Sequence, residues 1–180
     1  EFALDLMQLG AGGRSYKGDG QALTDYYAYG AEVRAVAAGT VVSVVDDVAE
    51  TTATLRRPDE AADAYLQRVM AAQNDNLVRG GKYVAGNLVV LRHADGEYSM
   101  YAHLKPGSVV VRPGASVAAG EVLGRLGHSG NSTEPHLHFQ LCDAPEVMAC
   151  AGLPVRFVDV ALPYADFPRE LQSGDIVIAR

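Results

Sequence analysis

The chain has 180 residues, a formal net charge of −7 and a hydrophobic fraction of 48%. This length suits a single domain, and the ordinary balance of apolar and charged residues excludes disorder over most of the chain. The acidic charge argues against nucleic acid as the main partner, since phosphate binding needs a basic face. Apolar runs such as Leu88–Leu91 are far shorter than the ~20 residues of a membrane span.

A high glycine content predicts a β-rich fold with many tight turns. There are 19 glycines and no tryptophan, and glycine is favoured where the chain must turn sharply. Alternating apolar residues predict strands in four parts of the chain. These parts are residues 1–9, residues 31–46 with a turn at Ala38–Gly39, residues 83–103 with a turn at Ala94–Gly96, and residues 136–141.

One segment interrupts this pattern, and another follows it. Residues 47–82 are predicted to be an insertion in which Pro58 and residues 59–73 form a short helix, with proline in its first turn. The tail of the insertion is expected to be a loop. Residues 142–180 are predicted to form a C-terminal extension that ends in a strand at Asp175–Ala179. Because Glu1 already lies inside a predicted strand, we expect further residues before it, and we treat 1–180 as one domain.

The two cysteines, Cys142 and Cys150, are separated by seven residues. A pair at this spacing can close a small loop, which is compatible with an oxidising compartment. Two free thiols are the alternative. Zinc binding by this pair is less expected, because structural zinc sites favour closer spacing and four ligands.

The pattern His136-Leu137-His138 is the most distinctive candidate site. On a strand, residues two apart point to the same face, so the two imidazoles project together. Imidazole is a common metal ligand and a general base near neutral pH. The preceding loop of small residues, 127–135, lets a substrate backbone approach closely. Two ordinary surface histidines are the competing interpretation.

Four other residues have side chains that could take part in chemistry. His103 ends a predicted strand, and Asp5 lies in an apolar stretch where a buried carboxylate needs a partner or a metal. Alternatively, His103 is a half-buried structural histidine and Asp5 faces solvent on an edge strand. His93 is expected to face solvent, and His128 lies in a loop expected to be mobile, where it contacts substrate at most.

Taken together, these segments resemble the lysostaphin-type (LytM-type) zinc metallopeptidases, which cut peptide cross-links of bacterial peptidoglycan. The resemblance covers roughly residues 1–141, apart from the insertion. The string from Ser129 to Phe139 is its most specific part. The matching segments are Phe2–Asp5, Gly30–Val41, Gly86–His93, Tyr101–Leu104, Val117–Gly124 and Gly127–Phe139.

The resemblance implies a mainly β fold, a compact antiparallel sheet or barrel-sandwich hybrid with an open groove and one short inserted helix. It implies one Zn²⁺ ion with Asp5 and His138 as metal ligands. It also implies that His103 and His136 are catalytic, acting on water and on the developing oxyanion. The expected protein is a monomer that acts on peptidoglycan peptides in the bacterial envelope, either periplasmic or secreted.

The family's first zinc histidine is missing from the given chain, because Glu1 stands four residues before Asp5 where the family most often has histidine. Three explanations remain open. The ligand lies before Glu1, or Glu1 itself binds zinc, or the site is incomplete and the protein is not catalytic. A rival alignment puts the ligand at Asp25 instead of Asp5.

Two other functions compete with a zinc endopeptidase. A degenerate member of the same family would bind cell wall or activate another hydrolase without zinc. A lipoyl- or biotinyl-like carrier shares the glycine-turn hairpins, but it needs a modified lysine at a hairpin tip. Lys17, Lys82 and Lys105 are not in such a setting, and a carrier leaves the histidine pair unexplained.

Overall fold

The computed structural model describes residues 2–158, 160–164 and 171–179. In that part of the chain the fold is mainly antiparallel β, as the sequence predicts, with one long helix where a short one was expected, and the sheet does not close into a barrel. The large sheet has the strand order β1-β8-β5-β4-β3-β6, and β9 pairs with β8. Its strands are β1 (Leu4–Leu6), β3 (Gly39–Val45), β4 (Asn87–Arg92), β5 (Tyr98–Leu104), β6 (Ser116–Val117), β8 (Leu137–Cys142) and β9 (Gly152–Leu153).

Two small antiparallel ribbons complete the β structure. Strand β2 (Glu32–Arg34) pairs with β7 (Val122–Arg125), and β10 (Val160–Ala161) pairs with β11 (Ile178–Ala179). The predicted strand at the C-terminus is therefore present but shorter than expected. A 3₁₀ turn spans Leu23–Asp25.

Strand β4 is covered on both faces, which explains why its sequence is a continuous apolar run and not an alternating one. Val89 and Leu91 belong to one buried cluster, together with Tyr101 and Phe139 from the neighbouring strands. The opposite face carries a second buried cluster. The second cluster comprises Ala85, Leu88, Val90, Met100, Ala102 and Cys142.

The insertion is more helical than the sequence predicts, and in the structure it comprises residues 46–86, which connect β3 to β4. Helix α1 spans Ala62–Arg79, and a short helix α2 spans Gly81–Ala85. The prediction of proline in the first turn is wrong, because Pro58 lies before the helix begins. The prediction of a loop after residue 73 is also wrong. Asparagine and aspartate are weak helix formers, but Asn76 is held by a hydrogen bond to Asn131, which supports this part of the helix.

Cys142 and Cys150 form a disulfide that ties the end of β8 to the segment before β9. Disulfides persist in oxidising compartments, which fits an envelope or secreted protein. None of the helices in the described ranges is long and apolar enough to cross a membrane.

Two glycines allow the insertion and the loop 127–135 to approach each other closely. Gly86 and Gly130 have φ angles of +69° and +76°. A Cβ atom on Gly130 would lie 2.5 Å from the Gly86 nitrogen and 2.6 Å from the Val84 carbonyl oxygen. Since both neighbours are backbone atoms, neither can move aside without shifting the chain.

We expect Gly130→Ala to destabilise the protein by about 2–5 kcal/mol, because a positive-φ residue and a backbone clash are both introduced. Gly114→Ala is the matched control: its φ is +85°, and its added Cβ meets nothing within 4 Å. That control should cost only about 1 kcal/mol. Urea unfolding of both variants measures the difference, and equal losses would show that the close approach is unimportant.

Candidate active site

Strand pairing brings Asp5 and the histidine pair together. Asp5 on β1 lies opposite His138 on β8, and Ala102 on β5 lies opposite His138 on the other side. Asp5 Oδ1 is 2.9 Å from His138 Nδ1 and 3.4 Å from His136 Nε2. The two imidazoles therefore share one face of the sheet. Strand β1 is an edge strand and the Asp5 side chain is 59% exposed, but its carboxylate is directed at the histidines.

His103 joins this cluster from the end of β5. Its ring centroid is 4.8 Å from that of His136 and 5.8 Å from that of His138. Its φ is +61°, in the left-handed region that non-glycine residues rarely adopt. Backbone strain of this kind is concentrated at functional sites. The His103 side chain is buried, and burial by itself would also fit the alternative that His103 is a structural histidine.

Backbone carbonyls orient both buried histidines. His103 Nδ1 lies 2.8 Å from the Ser129 carbonyl oxygen, and His136 Nδ1 lies 2.7 Å from that of Glu134. A carbonyl only accepts, so each Nδ1 carries the proton and each neutral ring keeps its lone pair on Nε2. Sequence reasoning missed these partners, because any residue type can supply a carbonyl.

The site favours a charged Asp5 and a neutral His103. Hydrogen bonds from His136, in its protonated form, and from His138 hold the pKa of the Asp5 carboxyl far below its usual range. Burial lowers the pKa of His103 to about 3, and the neighbouring imidazoles act in the same direction. Burial also opposes charge on His136, but its contacts with Asp5 and the Glu134 carbonyl outweigh burial and raise its pKa.

The remaining candidates lie outside the cluster. Asp25 caps its own 3₁₀ turn, where its carboxylate accepts from the Ala22 N–H at 3.1 Å, so the structure brings Asp5 and not Asp25 to His138. Glu1 lies outside the described residues. His93 was expected to face solvent but is partly buried, with its ring bonded to Ala38 and Ser99.

The donor set fits part of a zinc site. Asp5 and His138 supply a carboxylate oxygen and an imidazole nitrogen, both ordinary zinc ligands, on paired strands. Within the described residues no group of three or more histidine, cysteine or acidic side chains is arranged to hold a metal ion. Asp5 and His138 therefore have the chemistry and placement to fill two positions of such a site.

His128 is not in a mobile, exposed position as expected. It is 1% exposed, with Nδ1 at 2.8 Å from Ser132 Oγ and Nε2 at 2.9 Å from Thr54 Oγ1. Burial lowers its pKa to about 4. The partner Thr54 belongs to the insertion, which is remote in sequence, so the loop composition alone could not indicate this burial.

We expect His128 to make the fold sensitive to acid. The unfolded chain takes up the proton near pH 6.5 and the folded chain only near pH 4, so stability is complete above that window and falls as the pH drops through it. The full loss is roughly 3 kcal/mol. Urea unfolding at several values between pH 7.5 and pH 4 should show a flatter dependence in His128→Gln than in the unmodified protein. Parallel curves would contradict the assignment.

The model of peptidase family M23 matches residues 59–149, a range that includes His103, His136 and His138 but not Asp5. DD-carboxypeptidase/endopeptidase Mpg of Neisseria meningitidis is 37% identical over 110 residues, which are 57% of this chain and 23% of Mpg. Cell division protein DipM of Caulobacter vibrioides is 40% identical over 81 residues, which are 44% of this chain and 13% of DipM.

Peptidoglycan DD-endopeptidase ShyA of Vibrio cholerae is 33% identical over 96 residues, which are 53% of this chain and 20% of ShyA. This chain thus spans a quarter or less of the length of these relatives. Among solved structures, the catalytic domain of lysostaphin from Staphylococcus simulans aligns with a TM-score of 0.45 at 20% identity, covering 84% of this chain and 86% of that one. Because the family model matches half of the sequence, the chain belongs to peptidase family M23.

Proposed function

We propose that this chain is a zinc-dependent endopeptidase that cleaves peptide cross-links of bacterial peptidoglycan in the cell envelope. Membership of peptidase family M23 supports peptide hydrolysis. The names of relatives such as peptidoglycan DD-endopeptidase ShyA support the cell wall as the substrate. The disulfide is consistent with action outside the cytoplasm.

The observation that carries the proposal is the convergence of one carboxylate and three imidazoles from three neighbouring strands. Asp5 Oδ1 lies within 3.4 Å of both histidines of the H-x-H pair, and His103 stacks edge-on against the same two rings. If the cluster only stabilised the fold, a buried imidazole with a strained backbone (His103) would not be expected beside an exposed carboxylate (Asp5).

Asp5 and His138 would hold the zinc ion, with a third donor from outside the described residues. When bound, zinc supplies a water of lowered pKa and a Lewis acid for the scissile carbonyl. Asp5 is suited to this role because its carboxyl stays ionised across the physiological pH range.

His136 is the proposed general base and then the general acid. Its Nδ1–H is fixed on the Glu134 carbonyl, so in the neutral ring Nε2 has a lone pair that can take a proton from water, and the protonated Nε2 then donates to Asp5. The raised pKa of His136 favours holding that proton until the leaving amine accepts it. His103, kept neutral by burial, can only accept at Nε2, and it is therefore the proposed residue that orients the attacking water.

One observation favours the alternative of a degenerate domain that binds cell wall or activates another hydrolase. The described residues supply two zinc donors and not three. Metal content of the purified protein separates the two functions. Stoichiometric zinc with cleavage of peptidoglycan supports the peptidase, and absence of bound zinc after loading supports the degenerate domain.

We expect His138→Ala to lose zinc, because it removes the imidazole that lies against Asp5. The measurement is bound zinc per chain after loading and dialysis. His93→Gln is the control, since His93 bonds Ala38 and Ser99 outside the cluster and should keep full zinc. Full occupancy in His138→Ala would refute the assignment of this ligand.

His136→Ala should retain zinc but lose about 10²–10⁴-fold in kcat, the range typical of a missing general acid–base group. Turnover of purified peptidoglycan, followed by release of soluble fragments, measures the loss, and zinc content is measured on the same preparation. Turnover near that of the unmodified protein would assign the proton transfer to another group.

A further inference from the structure

The insertion lies against the loop that carries the candidate site. Strands β3 and β4 are antiparallel neighbours, yet residues 46–86 separate them, whereas hairpin connections usually have about 2–5 residues. Part of this long connection is deeply buried. Thr54 is 4% exposed and Leu55 is 2% exposed, so the insertion contributes to the interior and is not a surface loop.

Several hydrogen bonds attach the insertion to the backbone and side chains of the loop 127–135. The Glu50 carboxylate accepts from the His128 backbone N–H at 2.7 Å. The Asn76 side-chain amide donates to Asn131 Oδ1 at 2.8 Å. The Asn131 N–H donates to the Val84 carbonyl at 2.8 Å. The insertion therefore helps to hold the loop in position.

Another connection runs through side chains to His136. Thr54 Oγ1 is 2.9 Å from His128 Nε2, and His128 Nδ1 is 2.8 Å from Ser132 Oγ. Ser132 Oγ is 2.7 Å from the Glu134 carbonyl oxygen, which also accepts from His136 Nδ1 at 2.7 Å. This series of bonds is the Thr54–His136 relay.

The protons of the relay can be placed from its end. The Glu134 carbonyl only accepts, so the single hydroxyl proton of Ser132 points to it. The ring nitrogen Nδ1 of His128 must then donate to Ser132. In neutral His128 this leaves a lone pair on Nε2, which accepts the hydroxyl proton of Thr54. Every donor of the relay has an acceptor in this arrangement. The His136 Nδ1 atom also lies 3.3 Å from Ser132 Oγ, but the Glu134 carbonyl oxygen is nearer, at 2.7 Å.

Burial makes the relay sensitive to the loss of any member. His128 and Ser132 are each 1% exposed and Thr54 is 4% exposed, so water cannot replace a missing partner. A buried polar group without its partner favours rearrangement of its neighbours. Here the neighbour is the Glu134 carbonyl, which sets the tautomer and direction of His136.

We propose that Thr54 and His128 are positioning residues for His136. They hold the Ser132 hydroxyl on the Glu134 carbonyl, and this carbonyl keeps the His136 lone pair on the Nε2 atom that faces Asp5. The side chains of Thr54 and His128 bond each other and Ser132, so they reach the cluster through Ser132 and the Glu134 carbonyl. The kinetic consequence rests on the proposed function, whereas the tautomers of the two histidines do not depend on it.

The kinetic test compares Thr54→Val with Thr54→Ser. Valine keeps the shape of threonine and removes the hydroxyl, while serine keeps the hydroxyl. On a soluble cross-linked muropeptide, kcat of the zinc-loaded Thr54→Val protein should fall about tenfold or more, as a displaced catalytic group predicts, with KM and zinc content nearly unchanged. Thr54→Ser should restore kcat to within about twofold of the unmodified protein. Equal losses in both variants would indicate a packing role and overturn the proposal, as would an unchanged kcat in Thr54→Val.

The second test reads the histidines directly. Long-range ¹H–¹⁵N spectra of the ¹⁵N-histidine-labelled protein should show the Nδ1–H tautomer for both His128 and His136, and Thr54→Val should disturb both sets of signals. An Nε2–H tautomer of His128 in the unmodified protein overturns the proposal even if no variant folds. If the zinc-loaded protein does not cleave peptidoglycan, the proposed function fails, and these spectra still decide whether Thr54 positions His136.

Discussion

The pairing of β1 with β8 is the constraint on which the candidate site depends. This register places Asp5 opposite His138, and a slip by one residue would turn the carboxylate to the other face of the sheet. Strand β1 has only three residues and lies at the edge, so few backbone bonds hold it. Leu4 and Leu6 pack on the main core and fix which face Asp5 occupies. The packing of Leu4 and Leu6 on one face of β1 therefore directs the Asp5 carboxylate to the opposite face, where it meets the histidines.

The loop 127–135 has the same importance for the histidines that stay off the metal in the proposed mechanism. Its carbonyls at Ser129 and Glu134 choose the tautomers of His103 and His136. The Ser129 hydroxyl donates to the Leu104 carbonyl at 2.7 Å, so the loop is tied to the strand that carries His103. Together with the attachment to the insertion, these bonds make a glycine- and serine-rich loop an ordered part of the interior. Order of this kind suits preorganised donors and acceptors in a catalytic site.

The site concentrates imidazoles in an acidic protein. With a net charge of −7, the chain does not attract anions in general. Within the site, Asp5 is the carboxylate that contacts His136 and His138. Its charge favours protonation of the adjacent His136, whereas His103 is more deeply enclosed and stays neutral. Two histidines whose ring centroids are 4.8 Å apart therefore have different environments, which suits the separate roles of base and water-orienting residue that we propose for them.

Much of the sheet and the members of the histidine cluster could be predicted from the sequence. The two-residue period of a strand places His136 and His138 on one face. Asp5 stands out as a carboxylate in an apolar stretch, and His103 as a histidine at the end of a predicted strand. The helix beyond residue 73, the burial of His128 and the carbonyl partners of the imidazoles could not be predicted. Weak helix formers and flexible loop residues adopt whatever conformation their tertiary contacts stabilise, and a backbone carbonyl has no sequence signature. The chain itself determined which side chains can do chemistry, and only the tertiary structure, through the β1–β8 register and the packing of the insertion against the loop, decided how they are oriented.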